Sequence, residues 1–458
     1  MIYNISFAAC SIQNSYHNLP ATEIYFFRCP TVVVVNTQEF LVTTITSSTI
    51  LNFFIMDRST ISLGSFKTLF GKFFNRDTDT LAVNEWSKSH QELNDPRVSF
   101  MEQRIASLEG GVDALAVKSL RSARFKVIKS LIEKGENVVT FNSWSLAKED
   151  KAMYDRIGVE IKLPEDGKLS TFRSLVNEKT KLIYLETISS HFVNIPDFIK
   201  ITLYAKILKI PVIVDNSASV GGYLFKPFNN RANIVIESLE DFLPKTTRQK
   251  AIIIDGGNYD WFNGKYDRLA YSKLGFFNAE TGKELKDKKS FPNLHLVDFL
   301  RKKSNNGHNE YPIPQDPFSL IKKLEEIPEK IQLRSENAHK LNQFLKKNNH
   351  ILRVEYTGDP NGKSYCEALK YLKHGFGYFL SFTLNEQPAI AGKFFEILRR
   401  HSAFKNRLTY DTSKSKGYLS VPGVEFEELQ ENFETSFAAL DEIIRNQVRI
   451  HNPLLEWV

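Results

Sequence analysis

The sequence predicts a two-domain α/β protein with a mostly parallel sheet in its larger domain, and three observations carry that expectation. Strand-like runs at residues 182–185, 211–214, 233–236 and 251–254 are apolar at nearly every position rather than at alternate ones. Strands of that kind are buried on both faces, the condition of a parallel sheet with helices packed above and below. Helical patterns lie between several of them, as in Phe198, Ile201, Tyr204, Ile207 and Leu208, and alternation of strand and helix marks βαβ units. With 458 residues, 42% of them hydrophobic and 12% aromatic, the chain has material for two cores and is too apolar to be disordered.

Taken in order, residues 1–85 read as an N-terminal arm, 86–315 as the large domain and 316–458 as a smaller C-terminal α/β or α+β domain. In the arm, residues 31–35 and 40–56 are apolar, but Thr43, Thr44, Thr46, Ser47, Ser48, Thr49 and Asn52 dilute the second run below the ~20 apolar residues of a membrane helix. No basic region precedes an apolar core, so a signal peptide is not expected either. Translation starting at Met56 is a further reading of this region. From Pro96 the pattern becomes regular. Met101, Ile105, Leu108 and Val112 predict one helix, and Val117, Leu120, Val127, Leu131 and Ile132 a second. Gly135 and Asn137 then break the chain before a short strand at 138–141. In such a sheet ligands sit beyond the carboxyl ends of the strands, where Asp215 and Asn216 follow the run 211–214. Residues 259–315, polar and carrying the basic runs 286–289 and 301–303, read as a long connection. The last domain shows a helical pattern through Leu345, strands at 352–356, 379–384 and 418–421, and helices at 366–372, 391–400 and 427–445.

The net charge is +7, yet 60 lysines and arginines are interspersed with 53 acidic residues, so no basic face for nucleic acid emerges. Cys10, Cys29 and Cys366 are far apart and lack metal-ligand spacing, which argues against a disulfide framework or a metal site and suits a reducing cytoplasm.

Several separate segments share one further property. Residues 100–111 read Phe-Met-Glu-Gln-Arg-Ile-Ala-Ser-Leu-Glu-Gly-Gly; residues 182–187 are followed by Asn194-Ile195-Pro196-Asp197; residues 211–223 contain Val214-Asp215-Asn216 and Gly221-Gly222-Tyr223. Later come Asn337-Ala338 with Leu341, Gly375-Phe376-Gly377, and Ser420-Val421 with Gly423 and Glu425. In that order, from about Asp95 to the last helix, they resemble the Cys/Met-metabolism pyridoxal-phosphate enzymes, nearest to the O-acetylhomoserine sulfhydrylases, or homocysteine synthases. The resemblance implies the pyridoxal-phosphate transferase fold of type I, pyridoxal phosphate as cofactor, transsulfuration chemistry in methionine and cysteine metabolism, and a cytoplasmic dimer or tetramer.

Carried over residue by residue, the resemblance places the cofactor site on residues that mostly depart from the pattern. Asp215 matches the aspartate that keeps the pyridine nitrogen protonated, although an aspartate after a strand also caps the following turn. Ser119 and Ser238 match phosphate-binding serines. The Schiff-base lysine of the family's S-A-T-K falls at Asp241, and its threonine at Glu240. Leu120 stands at the glycine of a Ser-Gly turn, and Glu92 at the arginine that a neighbouring subunit contributes. The stacking tyrosine falls at Ser145, with Trp144 beside it as either a displaced aromatic or a core side chain. Ser190 replaces an asparagine, His191 a proline, and Tyr418 the arginine that grips the substrate carboxylate. A carboxylate forms no imine, a side chain in place of glycine closes the approach to a phosphate, and Glu240 repels a phosphate by on the order of 4 kcal/mol per charge pair at close contact.

These departures predict a pseudoenzyme with no catalytic residue, acting as a binding or oligomer partner of itself or of an active relative. The alternative is an active transferase making homocysteine from O-acetylhomoserine and sulfide through a relocated lysine such as Lys245 or Lys250. A third reading is a nucleic-acid or anionic-surface binder using residues 283–303.

Overall fold

The computed structural model describes residues 23–26, 31–35, 39–46, 49–57, 96–243, 250–266, 296–305 and 322–451. The chain divides into two compact units, Met1–Leu93 and Asn94–Val458.

The first unit carries an antiparallel sheet of β1 (Glu23–Phe26), β2 (Thr31–Val35), β3 (Glu39–Thr46) and β4 (Thr49–Asp57), in that order. Its runs of valine, isoleucine, threonine and phenylalanine suit a pleated strand better than a helix. The uncharged stretch 40–56 is therefore two strands, and among the described residues no helix is long and apolar enough to cross a membrane.

The second unit begins with α1 (Pro96–Glu109), β5 (Asp113–Val117), α2 (Leu120–Leu131), β6 (Asn137–Thr140), α3 (Lys151–Arg156), β7 (Glu160–Lys162), α4 (Leu169–Leu175) and β8 (Thr180–Glu186). It continues with α5 (Phe198–Ile207), β9 (Val212–Asp215), β10 (Ile234–Ser238), β11 (Ala251–Asp255) and α6 (Leu296–Asn305). These build a seven-stranded sheet in the order β5-β11-β10-β9-β8-β6-β7. Neighbours from β10 to β7 run parallel, and β11 runs antiparallel to both β10 and β5. Two apolar layers enclose the sheet, and single strands feed both. Val212 and Val214 point into one layer and Ile213 into the other, as do Ile252 and Ile254 against Ile253. This is why the strands carry no polar alternation; each such side chain contributes about 1.5–3 kcal/mol by leaving water.

The small domain follows with α7 (Ile327–Leu345), β12 (Ile351–Tyr356), α8 (Tyr365–Tyr371), β13 (Phe379–Leu384), α9 (Pro388–Arg400), β14 (Leu408–Asp411), β15 (Lys416–Ser420) and α10 (Phe426–His451). Its four-stranded sheet, β12-β13-β15-β14, is antiparallel throughout, so the domain takes the α+β form. Phe382 of β13 packs against Phe394 and Phe395 of α9 and Phe433 of α10, all fully buried.

Three expectations change. Val112 is not on the apolar face of α1: Gly110, at φ +85°, ends the helix, and Val112 is left 55% exposed. Val117 belongs to β5, a strand hidden because its five residues sit directly against the helical pattern of α2. The stretch 259–315 is more than a connection where it is described. Trp261, Tyr266 and the α6 residues Leu296, Val297 and Leu300 are buried in the layer beneath α2. Arg301, part of a basic run of that connection, bridges Asp113 at 2.8 Å and Glu102 at 3.2 Å. Basic residues 283–289 lie outside the described residues.

Candidate active site

Because β5, β6, β8, β9 and β10 point the same way, the loops after them converge at one edge of the sheet. Those loops carry Ser119, Ser143 to Ser145, Thr187 to His191, Asp215 to Ser217 and Ser238 to Asp241. Side chains of α7 and β15 of the small domain meet them there.

Asp215 ends β9 and is 6% exposed. Its Oδ2 accepts from the Tyr184 hydroxyl at 2.9 Å, and its Oδ1 accepts from the backbone N–H and hydroxyl of Ser217 at 3.1 and 2.5 Å. Of the two alternatives for this residue, the structure shows the cap: Asp215 holds the turn after the strand. The Ser217 hydroxyl in turn accepts from the backbone N–H of Ser238 at 2.8 Å, which ties two of the expected positions together. Glu186 lies directly opposite Asp215 in the β8–β9 register and accepts from the Ser143 hydroxyl. Burial, and then the charge of Asp215, push the Glu186 carboxyl up to about 8. Arg124, on the second turn of α2 and 7% exposed, places Nη2 3.6 Å from Asp150 Oδ2. Burial works against its charge, but Tyr184, Asp215, Asp150 and Glu186 surround it and raise it above the usual guanidinium range.

A second buried acid pair supports the loop after β9. Asn216 donates to Glu109 Oε1 at 2.6 Å and accepts from the Thr187 hydroxyl at 2.6 Å. Glu237 accepts from the Gly221 N–H at 3.0 Å. Burial, followed by the neighbouring Glu109, lifts Glu237 well above the carboxylate range, and burial likewise raises Glu109. Gly222 has φ +71°, and a Cβ there would come within 2.9 Å of Lys226 and 3.2 Å of Glu109, so the glycine is required by both space and conformation.

Asp241, in the turn after β10, receives two cations on one oxygen. Arg334 Nη1 of α7 and Arg407 Nη1 both donate to Oδ2 at 2.9 Å. Burial raises the Asp241 carboxyl, and the two guanidinium groups outweigh it, holding the group below its ordinary value. Arg334 is anchored further: Nε donates to the Val421 carbonyl and Nη2 to the Ser420 hydroxyl, each at 2.7 Å, and its guanidinium lies 3.6 Å above the Tyr378 ring. The neighbouring Glu240 pairs with Lys250 at 3.1 Å.

The remaining expected positions fall into two groups. Ser119 caps α2, its hydroxyl accepting from the Ser122 N–H at 3.2 Å, and Leu120 is the first residue of that helix. Trp144 is not a core side chain: half-buried, it stacks on His191 at 4.2 Å and 9°, and His191 lies 4.7 Å from Tyr418. Burial, then Lys416, lower His191 to about 4, so it is neutral at pH 7. Ser190 bonds the His191 ring at 3.2 Å, and Ser145 opens the wide helical turn Ser145–Glu149 beside Trp144. Glu92 and Lys245 lie outside the described residues. Sequence reasoning missed Arg124, Arg334 and Arg407. The available signal for Arg334 was a charged residue within a helical stretch that also buries Ile331 and Ala338.

A mostly parallel sheet, polar side chains gathered beyond its strand ends and a small antiparallel domain laid against them define the class: the type I pyridoxal-phosphate transferase scaffold. The chain belongs to the Cys/Met metabolism PLP-dependent enzyme family, whose model matches residues 73–445. It is 28% identical over 341 residues to an O-acetyl-L-homoserine sulfhydrylase of Leptospira meyeri, covering 72% of this chain and 77% of that protein. To a homocysteine/cysteine synthase of Saccharomyces cerevisiae it is 30% identical over 304 residues, covering 65% and 67%. Among solved structures, an assigned O-acetylhomoserine (thiol)-lyase of Campylobacter jejuni, with N'-pyridoxyl-lysine-5'-monophosphate, superposes with a TM-score of 0.59 at 20% identity, covering 75% of this chain and 86% of that one.

Proposed function

We propose that this chain is a homocysteine-synthase-like pseudoenzyme that keeps the family scaffold without forming the internal imine with pyridoxal phosphate. The observation that carries the reading is Asp241. Where the resemblance puts the lysine, the chain presents a carboxylate held ionised by Arg334 and Arg407, which supplies no amine. Lys250, a candidate for relocation, is engaged by Glu240. Leu120 at the helix start and Glu240 in the same turn as Asp241 add bulk and negative charge where a phosphate would need an open, positive cradle. The residues present do not fit covalently held pyridoxal phosphate.

The role is binding, as a partner of itself or of an active relative in the cytoplasm. In support, Ile199, Leu203 and Ile207 form an apolar stripe at helical spacing along α5, with Ile207 79% exposed. The test is to incubate the purified protein with excess pyridoxal phosphate, reduce with borohydride and map peptides. No pyridoxyl-lysine is expected; a stoichiometric adduct, or sulfide-dependent homocysteine formation by the pure protein, overturns the reading.

A further inference from the structure

We propose that a cavity of about 410 Å³ between the large and small domains is a binding site for a small organic anion, with Arg104 and Lys226 meeting its charged head and an apolar floor receiving its body. The proposal goes beyond the reading above and does not rest on it, because neither Asp215 nor Asp241 lines the cavity.

Four segments wall the cavity: the second half of α1, the loop 220–226 after β9, the chain leading into α7, and His374 between α8 and β13. Its volume falls within the ~300–1,000 Å³ of small-molecule sites, which form preferentially where domains meet. Ile105, Leu324 and Ile327 are each 3% exposed or less, so the floor is apolar and set into the core. Tyr223 and His374 add a flat side, their rings stacked at 5.0 Å and 21°. The lining charge is uneven. Arg104 and Lys226 stand against one acid, Glu325. Neither cation forms an ion pair or a side-chain hydrogen bond among the described residues, whereas the nearby Lys323 and Lys330 are both held by Glu326. Glu109 lies behind Gly222, its Oε2 3.2 Å from where a Cβ on that glycine would sit, beside the Lys226 stem. Burial raises the Glu109 carboxyl, which weakens its hold on the Lys226 charge. Two such cations over an apolar floor favour an anionic head on an apolar body. The head gains charge-assisted hydrogen bonds and the body leaves water, while a cation of the same shape gains only the second.

Calorimetric titration of the purified full chain with 4-phenylbutyrate is expected to show saturable one-to-one binding with a Kd of about 1 mM or tighter, and Tm is expected to rise with the ligand. The matching amine, 4-phenylbutylamine, keeps the body and reverses the charge, and acetate keeps the head without the body; each is expected to bind at least about tenfold more weakly. Arg104→Met and Lys226→Met should each weaken 4-phenylbutyrate binding by at least about fivefold. Leu108→Trp, placing a larger side chain on the half-buried wall that α1 contributes, should abolish it. No saturable binding by the wild type, equal affinity for the amine, or unchanged affinity in both cation variants overturns the proposal. Should Leu108→Trp fail to fold, the wild-type comparison of carboxylate and amine still decides. A lysine adduct trapped with borohydride refutes the reading of Asp241 and leaves this site standing.

Discussion

A lysine introduced at position 241, where the resemblance puts the family's lysine, should destabilise this protein. Asp241 Oδ2 accepts from Arg334 and Arg407 at 2.9 Å each, and Arg334 is only 4% exposed. In Asp241→Asn the amide oxygen still accepts both donors and only charge is lost. Because the Asp241 side chain is 38% exposed, and Arg334 keeps Val421, Ser420 and Tyr378, the loss should be about 1 kcal/mol rather than the 3–5 kcal/mol of a fully buried pair. In Asp241→Lys an ammonium replaces the acceptor. Two like-charge contacts near 4 Å are worth about 4 kcal/mol each at moderate screening. Partial escape of the lysine into solvent reduces the net loss to about 3 kcal/mol, a fall in Tm on the order of 5 °C. Thermal and urea unfolding at low and high salt are the assay, with the deficit of the lysine variant shrinking as salt rises. A lysine variant as stable as the asparagine variant, or one that develops aldimine absorbance with pyridoxal phosphate, would refute the reasoning.

Glu186, with a folded value of about 8 against an ordinary 4.5, contributes stability that is fully present below pH 4.5 and lost as the pH rises through 8. The unfolding free energy from urea titrations should therefore decline across that window by up to about 1.4 kcal/mol per pH unit, and Glu186→Gln should flatten the decline. Asp241, held below its ordinary value, gives the opposite slope in acid: its stability is lost as the pH falls through the folded value, and Asp241→Asn should weaken that loss. Arg301→Met leaves Asp113 and the buried Glu102 without their cation and should cost about 3 kcal/mol, seen as a lower urea midpoint. His191→Ala removes the ring stacked on Trp144, and should shift the protein's summed tryptophan emission to the red, a shift absent in the Trp144→Phe background, with a loss of about 1 kcal/mol.

The legible parts of the fold were those written in local pattern. The runs at 182–185, 211–214, 233–236 and 251–254 became β8 to β11 because burial on both faces demands uninterrupted apolar residues. That same uniformity hid the direction of β11, since a buried antiparallel strand reads like a buried parallel one. Short β5, β7 and β14 and the helices α3 and α4 were missed because each offers too few residues to show a period.

By itself the sequence determined the scaffold and the identity of residue 241: ordered motifs select the family fold, and an aspartate there carries no amine wherever the chain places it. Only the tertiary structure decided which side chains surround that aspartate and the aromatic rings beyond the strand ends. Arg334 and Arg407 come from 93 and 166 residues away to meet Asp241, and Trp144, His191 and Tyr418 meet across three separate loops and strands. No local pattern encodes such encounters, because a buried charge selects its partner by proximity in the folded core and not by spacing along the chain.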